Sequence, residues 1–279
     1  MINPVPDVVF RGLTMVQATV HPLDRGRLRL DTNFAFEGDS LGTFDNPDAD
    51  NELIDFVVYN LLIDHPEATI LVDTGSHPDA ADGYWPEHVY QLFAHYDADE
   101  RTLDTALDEK GYAVDDIDAV VQTHLHLDHA GGLYHFDGTD VPIYAHEKEL
   151  KTAYFGGKVA GDPAYVTEDF DRDLNWKPVH LSEVTPWEDV RLHHFPGHTP
   201  GVMGLSIDLA DDGTLLFTSD ECLQEGNYEG QPMGAVLLNE RSDWFDSLQR
   251  IYEIERTRNA TVYTGHDLDQ FESFPDSWS

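Results

Sequence analysis

Residues 122–132 read Gln-Thr-His-Leu-His-Leu-Asp-His-Ala-Gly-Gly, and this stretch constrains the chain more than any other. His124, His126, Asp128 and His129 fall within six residues. The apolar run before them, 117–121, reads as a buried strand. Gly131 and Gly132 after them let the backbone turn sharply or approach another group closely. In an extended or looping backbone alternate residues point the same way, so His124, His126 and Asp128 converge and His129 is offset. Imidazole nitrogen and carboxylate oxygen are good ligands for zinc and similar divalent metals. A lone histidine is usually a surface or satisfied core residue. Three with an aspartate in one loop after a strand point to a metal site instead, one that a single loop does not complete.

Three later positions share one design. His198 in Pro-Gly-His-Thr-Pro-Gly, Asp220 after 214–218 and His266 in Gly-His-Asp each sit just past a short apolar strand. Strand ends grouped at one sheet edge are a usual place for a site. Alone, His198 reads as a turn residue, Asp220 as a loop acid and His266 as a helix cap. With the first loop they make five imidazoles and two carboxylates, enough for two metals with one carboxylate shared. The other ten of the fifteen histidines lack this context and read as surface or structural.

Composition narrows the chemistry. The one cysteine, Cys222, excludes an intrachain disulfide and cysteine-based zinc modules. Sixteen Lys and Arg against 54 Asp and Glu give a formal net charge of -38. The acids are spread between apolar residues, as in proteins adapted to molar salt, where self-repulsion is screened. So little positive charge argues against a nucleic-acid partner. The N-terminus lacks the basic and apolar regions of a signal peptide, and no apolar run approaches a membrane span. A soluble cytoplasmic protein without membrane partners is expected.

Taken in order, 8–10, 13–20 and 27–30 read as strands, and 31–51 as a polar loop carrying Phe34, Phe36, Leu41 and Phe44. Residues 54–63 and 69–72 read as an antiparallel pair ending in Asp73, which either orients a metal ligand or caps a turn. A helix is expected from an Asp99 cap to about Lys110, stopped by Gly111. Residues 141–145 read as an edge strand or strand start because of Pro142, and 146–154 as a helix. The stretch 155–178 reads as an insertion or lid outside the core. Strands follow at 190–195, 202–209 and 214–218, then a helix from a Ser242 cap to about Thr257 and a last strand at 260–263. The whole of 1–279 reads as one domain.

The motif HLHLDH at 124–129 resembles the HxHxDH signature of the metallo-β-lactamase superfamily. GHTPG at 197–201, SD at 219–220 and GHD at 265–267 match its later ligand positions in order. Within it, ILVDTG at 70–75, HLHLDHAGG, PGHTPG and TGHD are most similar to the N-acyl-homoserine lactone lactonases. The resemblance implies an α/β fold, an αββα sandwich of two mixed sheets with helices outside. It implies one metal on His124, His126 and His198, a second on Asp128, His129 and His266, and Asp220 bridging. Zinc is the default, with manganese, iron or cobalt fitting the same donors. The activity implied is opening of a lactone ester by an activated water, with Asp128 carrying the proton to the leaving alkoxide. Glyoxalase II-like thioesterases share this ligand set, and β-lactam hydrolases use the same metals; a non-catalytic metal-binding protein is a further alternative. The lactonases usually carry a Tyr three residues past the bridging Asp. Here that residue is Leu223, and Tyr228 is the nearest substitute. Cys222 reads as packing. The aromatic and apolar residues at 34–44 and 154–176 either line an acyl-chain groove or are ordinary core residues. The partner expected is a small-molecule lactone or ester; oligomeric state, a dimer included, is left open.

Overall fold

A computed structural model describes residues 16–279, so the strand expected at 8–10 and the start of that at 13–20 lie outside the described residues. Seven strands form the first sheet: β1 (Thr19–Asp31), β2 (Leu53–His65), β3 (Ala68–Val72), β4 (Ala94–His95), β5 (Ala119–Val121), β6 (Pro142–His146) and β7 (Asn175–Val179). Their order is β4-β1-β2-β3-β5-β6-β7. β1, β2 and β3 pair antiparallel, and β3, β5, β6 and β7 run parallel. The second sheet holds β8 (Glu183–Trp187), β9 (Val190–His194), β10 (Met203–Leu209), β11 (Gly213–Phe217) and β12 (Thr261–Tyr263), in the order β12-β11-β10-β9-β8. Its pairs are antiparallel except the parallel β11–β12.

The two-residue period of β-structure builds the layers. Leu61 and Ile63 of β2 face the second sheet and pack with Val190, Leu192, Leu205, Ile207 and Leu215. Leu62 between them faces the other way, with Leu71, Val120 and Ile143, onto the helix Leu103–Asp108 through Leu103, Ala106 and Leu107. Leu216 of β11 likewise points outward, onto Trp244, Leu248 and Ile251 of the helix Arg241–Arg258. The result is the expected sandwich, with both sheets buried between helical layers.

Several boundaries differ from expectation. Thr102 caps the helix Leu103–Asp108, accepting from the Thr105 amide at 3.3 Å; Asp99 lies in the preceding turn. Glu240 caps Arg241–Arg258, its carboxylate accepting from the Ser242 amide at 3.2 Å, so the acid two residues earlier displaces the serine. Pro142 starts β6, which is an interior strand: a first residue is where a missing N–H is tolerated. Residues 155–178, expected outside the core, bury Tyr165 and Phe170 in it and end in β7.

That last segment is also tied to the 80–84 turn. The Tyr84 hydroxyl donates to Asp169 at 2.6 Å, while the second carboxyl oxygen is buried without a partner. Burial pushes the Asp169 carboxyl up to about 7. A raised carboxyl is protonated in the native state over a range where the unfolded chain has already ionised, so its contribution is lost as pH rises from about 4 to 7. Asp169→Asn removes the charge and keeps an oxygen for Tyr84. It is expected to be more stable than the parent at pH 8 by a few kcal/mol, at about 1.4 per pH unit, and indifferent near pH 4. Paired denaturant melts at the two pH values measure this; an equal difference at both would remove Asp169 as the cause.

Candidate metal centre

Four strands and their following turns converge at one edge of the sandwich. β5 leads into 122–126 and the helical turn Leu127–Ala130, β9 into His198, β11 into Asp220 and β12 into His266. The Gly131 and Gly132 positions leave no room for a Cβ, because the backbone of 74–77 lies against them. That contact presses the His-rich turn onto the loop after β3.

The seven side chains expected from the sequence meet there. Donor atoms of His124, His126 and His198 lie within 4.8 Å of one another, as do those of Asp128, His129 and His266. Asp220 lies between the two sets. Its Oδ2 is 3.7 Å from His124 Nε2 and 3.6 Å from His198 Nε2. Its Oδ1 is 3.2 Å from His129 Nε2 and 3.1 Å from His266 Nε2. One carboxylate oxygen therefore faces each half of the centre. Asp128 Oδ2 is 3.7 Å from both His129 and His266.

The donors point at each other, which suits a cation. His198 Nε2 faces His126 Nδ1 at 2.9 Å, and His129 Nε2 faces His266 Nε2 at 3.3 Å. His124 Nε2 and Asp220 Oδ1 are buried without hydrogen-bond partners. Orphaned polar atoms this deep need an explanation, and two divalent ions supply one. Burial, with neighbouring imidazoles, holds His124 and His126 well below the ordinary histidine value, so both keep a free lone pair. Burial also opposes charge on His129 and His266, but Asp220 and Asp128 outweigh it and raise both. The charge of a cation bound there would take the place of those protons.

The far ring nitrogens are held in turn. His129 Nδ1 meets Asp73 at 2.9 Å, His198 Nδ1 donates to the Leu237 carbonyl at 2.6 Å and His266 Nδ1 to that of Val57 at 2.7 Å. Of the two roles open to Asp73, the contacts favour holding the His129 ring: its carboxylate also accepts from the Thr123 amide and hydroxyl, both at 2.7 Å. Such outer contacts fix ring tautomer and direction. Asp73 itself has φ of 58°, and Ser219 beside Asp220 has φ of 51°. Both are left-handed positions that carry local strain.

A family profile described as metallo-beta-lactamase superfamily matches residues 53–266. The chain belongs to the metallo-beta-lactamase superfamily. It is 33% identical over 263 residues to N-acyl homoserine lactonase AiiB of Agrobacterium fabrum, covering 90% of this chain and 94% of that one. It is 30% identical over 230 residues to N-acyl homoserine lactonase AiiA of Bacillus thuringiensis subsp. kurstaki, covering 80% and 86%. A crystal structure of a B. thuringiensis AiiA variant with N-decanoyl-L-homoserine bound at the active site superposes with a TM-score of 0.80, at 25% identity, over 94% of this chain and 97% of that one. The chain is a metal-dependent hydrolase of this fold.

Beside the metallo-beta-lactamase centre opens a cleft of about 430 Å³. His126, Asp128, His198, Asp220 and His266 line it, and its walls are largely apolar: Leu28, Leu30, Phe56, Val89, Leu92, Phe93 and 236–238. Leu223 lines it as expected. Tyr228 does not: its ring packs on Tyr252, and its hydroxyl is turned toward Glu255. The turn Glu225–Tyr228 carries it away from the metal side, so it is no substitute for the missing Tyr. The groove aromatics also differ. Phe34 and Phe36 pack into the core and Phe44 is fully exposed, whereas 88–93 supplies a wall. Of the 154–176 aromatics, Tyr165 lines the cleft. Cys222 is buried packing, its thiol pushed well up by burial.

Two buried acids beside these side chains escaped the sequence reading. Glu149 accepts from the Leu125 amide at 3.0 Å, and Glu221 from the His198 amide at 3.2 Å. Each follows an ordinary helix or turn pattern, and nothing local in the sequence marks it.

Proposed function

We propose that this protein opens the ester ring of N-acyl-homoserine lactones or closely similar neutral lactones, using two divalent ions, with zinc as the pair. One observation carries the choice of substrate. Among the described residues the cleft beside the ligands is lined largely by apolar side chains, with the acids Asp128, Asp162 and Asp220 and no Lys or Arg. A substrate bearing a carboxylate finds no Lys or Arg side chain there to pair with. Glutathione thioesters and β-lactam antibiotics both bear one; an acylated lactone is neutral, with an apolar tail for the 88–93 and 236–238 walls.

Two divalent ions at this centre supply a hydroxide at neutral pH and Lewis-acid polarisation of the ester carbonyl. The protein's own groups do the rest. Asp220 spans the two halves and fixes their separation. His124, His126 and His198 hold one half, and Asp128, His129 and His266 the other. The apolar walls exclude water and orient the acyl chain. Asp128, facing the cleft, passes the proton to the alkoxide released when the ring opens.

A soluble cytoplasmic setting at high salt is part of the proposal, supported by the free cysteine and the spread of acids. The test is proton release from N-acyl-homoserine lactones by zinc-loaded protein in molar potassium chloride, beside a glutathione thioester and a β-lactam. Turnover of lactones well above either anionic substrate is expected. Faster turnover of the thioester would overturn the reading.

A further inference from the structure

Glu149 lies on the helix Glu147–Phe155 and is fully buried. Among the described residues no Lys or Arg pairs with it, so the cost of burying its carboxyl is met by hydrogen bonds alone. One oxygen accepts from the Leu125 amide at 3.0 Å and from the Tyr165 hydroxyl at 3.2 Å. The other accepts from the Thr199 hydroxyl at 2.6 Å. Each donor adjoins one half of the metal centre. Leu125 sits between His124 and His126, Thr199 follows His198, and the Tyr165 ring lies 4.7 Å from that of His126. At Gly201, two residues past Thr199, the Glu149 backbone leaves no room for a Cβ.

The other half is held from elsewhere. His129 leans on Asp73 and His266 on the Val57 carbonyl, and Asp128 is on the cleft side. We propose that Glu149 is a positioning residue for the first half alone: it joins the chain segments bearing His124, His126 and His198 so that the three imidazoles converge on one ion. Removing its acceptor oxygens frees three buried donors and lets the 122–126 and 196–201 segments drift apart, while His129, His266 and Asp128 keep their supports. The protein then retains one ion and releases the other. This rests on the two-ion reading above.

The experiment measures bound zinc per chain after dialysis of the holoprotein against a weak chelator of graded strength. The parent is expected to hold two ions. Glu149→Ala is expected to hold one, like a His198→Ala reference, with the second affinity weakened about 10–100-fold. Glu149→Gln is expected to hold nearly two, because its amide oxygen still accepts from Leu125 and its NH2 donates to Thr199. That rescue separates positioning from mere filling of space. Tyr165→Phe, which removes one donor and leaves the backbone intact, is expected to weaken the same ion more mildly and serves if Glu149→Ala does not fold. Two ions held at parental affinity in Glu149→Ala, loss of both together, or a Gln variant as weak as Ala would overturn the proposal. A parent that binds no zinc would instead overturn the two-ion reading.

Discussion

Asp220→Asn is expected to lose essentially all lactone hydrolysis and to hold less metal. Asp220 is the one side chain with an oxygen toward each half of the centre, 3.1–3.2 Å from His129 and His266 on one side and 3.6–3.7 Å from His124 and His198 on the other. Burial opposes its charge, but His266, His129 and His124 hold its carboxyl well below the usual range, so it is an anion in the folded protein. Asparagine has nearly the same shape. It lacks that charge, and its NH2 can face a cation only unfavourably. One half of the centre therefore loses a donor and both lose a negative charge. The expected drop in kcat/KM exceeds the roughly 10²–10³-fold cost of a single lost transition-state donor. Metal analysis and lactone kinetics on the same preparation measure it together. Parental activity in Asp220→Asn would sink the proposed mechanism, whereas normal metal content with no activity would leave Asp220 a role in the reaction but not in holding the ions.

The side chains that meet at this centre were legible because each carries a local mark. His124, His126, Asp128 and His129 share a short turn, and His198, Asp220 and His266 each follow a strand by a few residues. The sandwich was legible through alternation, as at Leu61, Leu62 and Ile63, whose side chains divide between the two faces of β2. What escaped depends on contacts between distant segments. Glu149 is an ordinary helical glutamate until Leu125 and Thr199 arrive from elsewhere. Asp73 reads equally well as a turn cap, and only its 2.9 Å approach to His129, 56 residues away, decides its role. The burial of Phe170 within a Gly-, Pro- and acid-rich stretch is likewise tertiary, because composition there favours an exposed segment. Tyr228 failed for a related reason: nearness in sequence to Asp220 says nothing about the turn that carries it aside.

Chelation is expected to produce the second large effect, on activity and stability together, with a pH dependence whose sign differs between the two forms toward alkaline pH. Lactone hydrolysis should vanish on metal removal and return on adding zinc back. An ion that binds only the folded state stabilises it by about 4 kcal/mol when present at 1,000 times its dissociation constant. For a chain of this size that lowers Tm on the order of 10 °C when the ion is taken away. In the metal-free protein His129 and His266 are raised by Asp220 and Asp128. A raised histidine contributes stability that is complete below its unfolded value near 6.5 and is lost as pH rises through its folded value. Above about pH 6.5 the apo protein should therefore weaken toward alkaline pH, while below it His124, His126 and His198, which burial lowers, weaken it toward acid. The loaded protein should behave in the opposite sense above that pH, because protons compete with metal for the same nitrogens and acid strips the ions. The gap in Tm between the two forms should open as pH rises and close toward acid. Thermal melts of chelated and zinc-loaded protein across pH 5 to 9, at fixed molar salt, measure that gap. A gap independent of pH would mean that His129 and His266 do not bind the ions whose removal destabilises the fold.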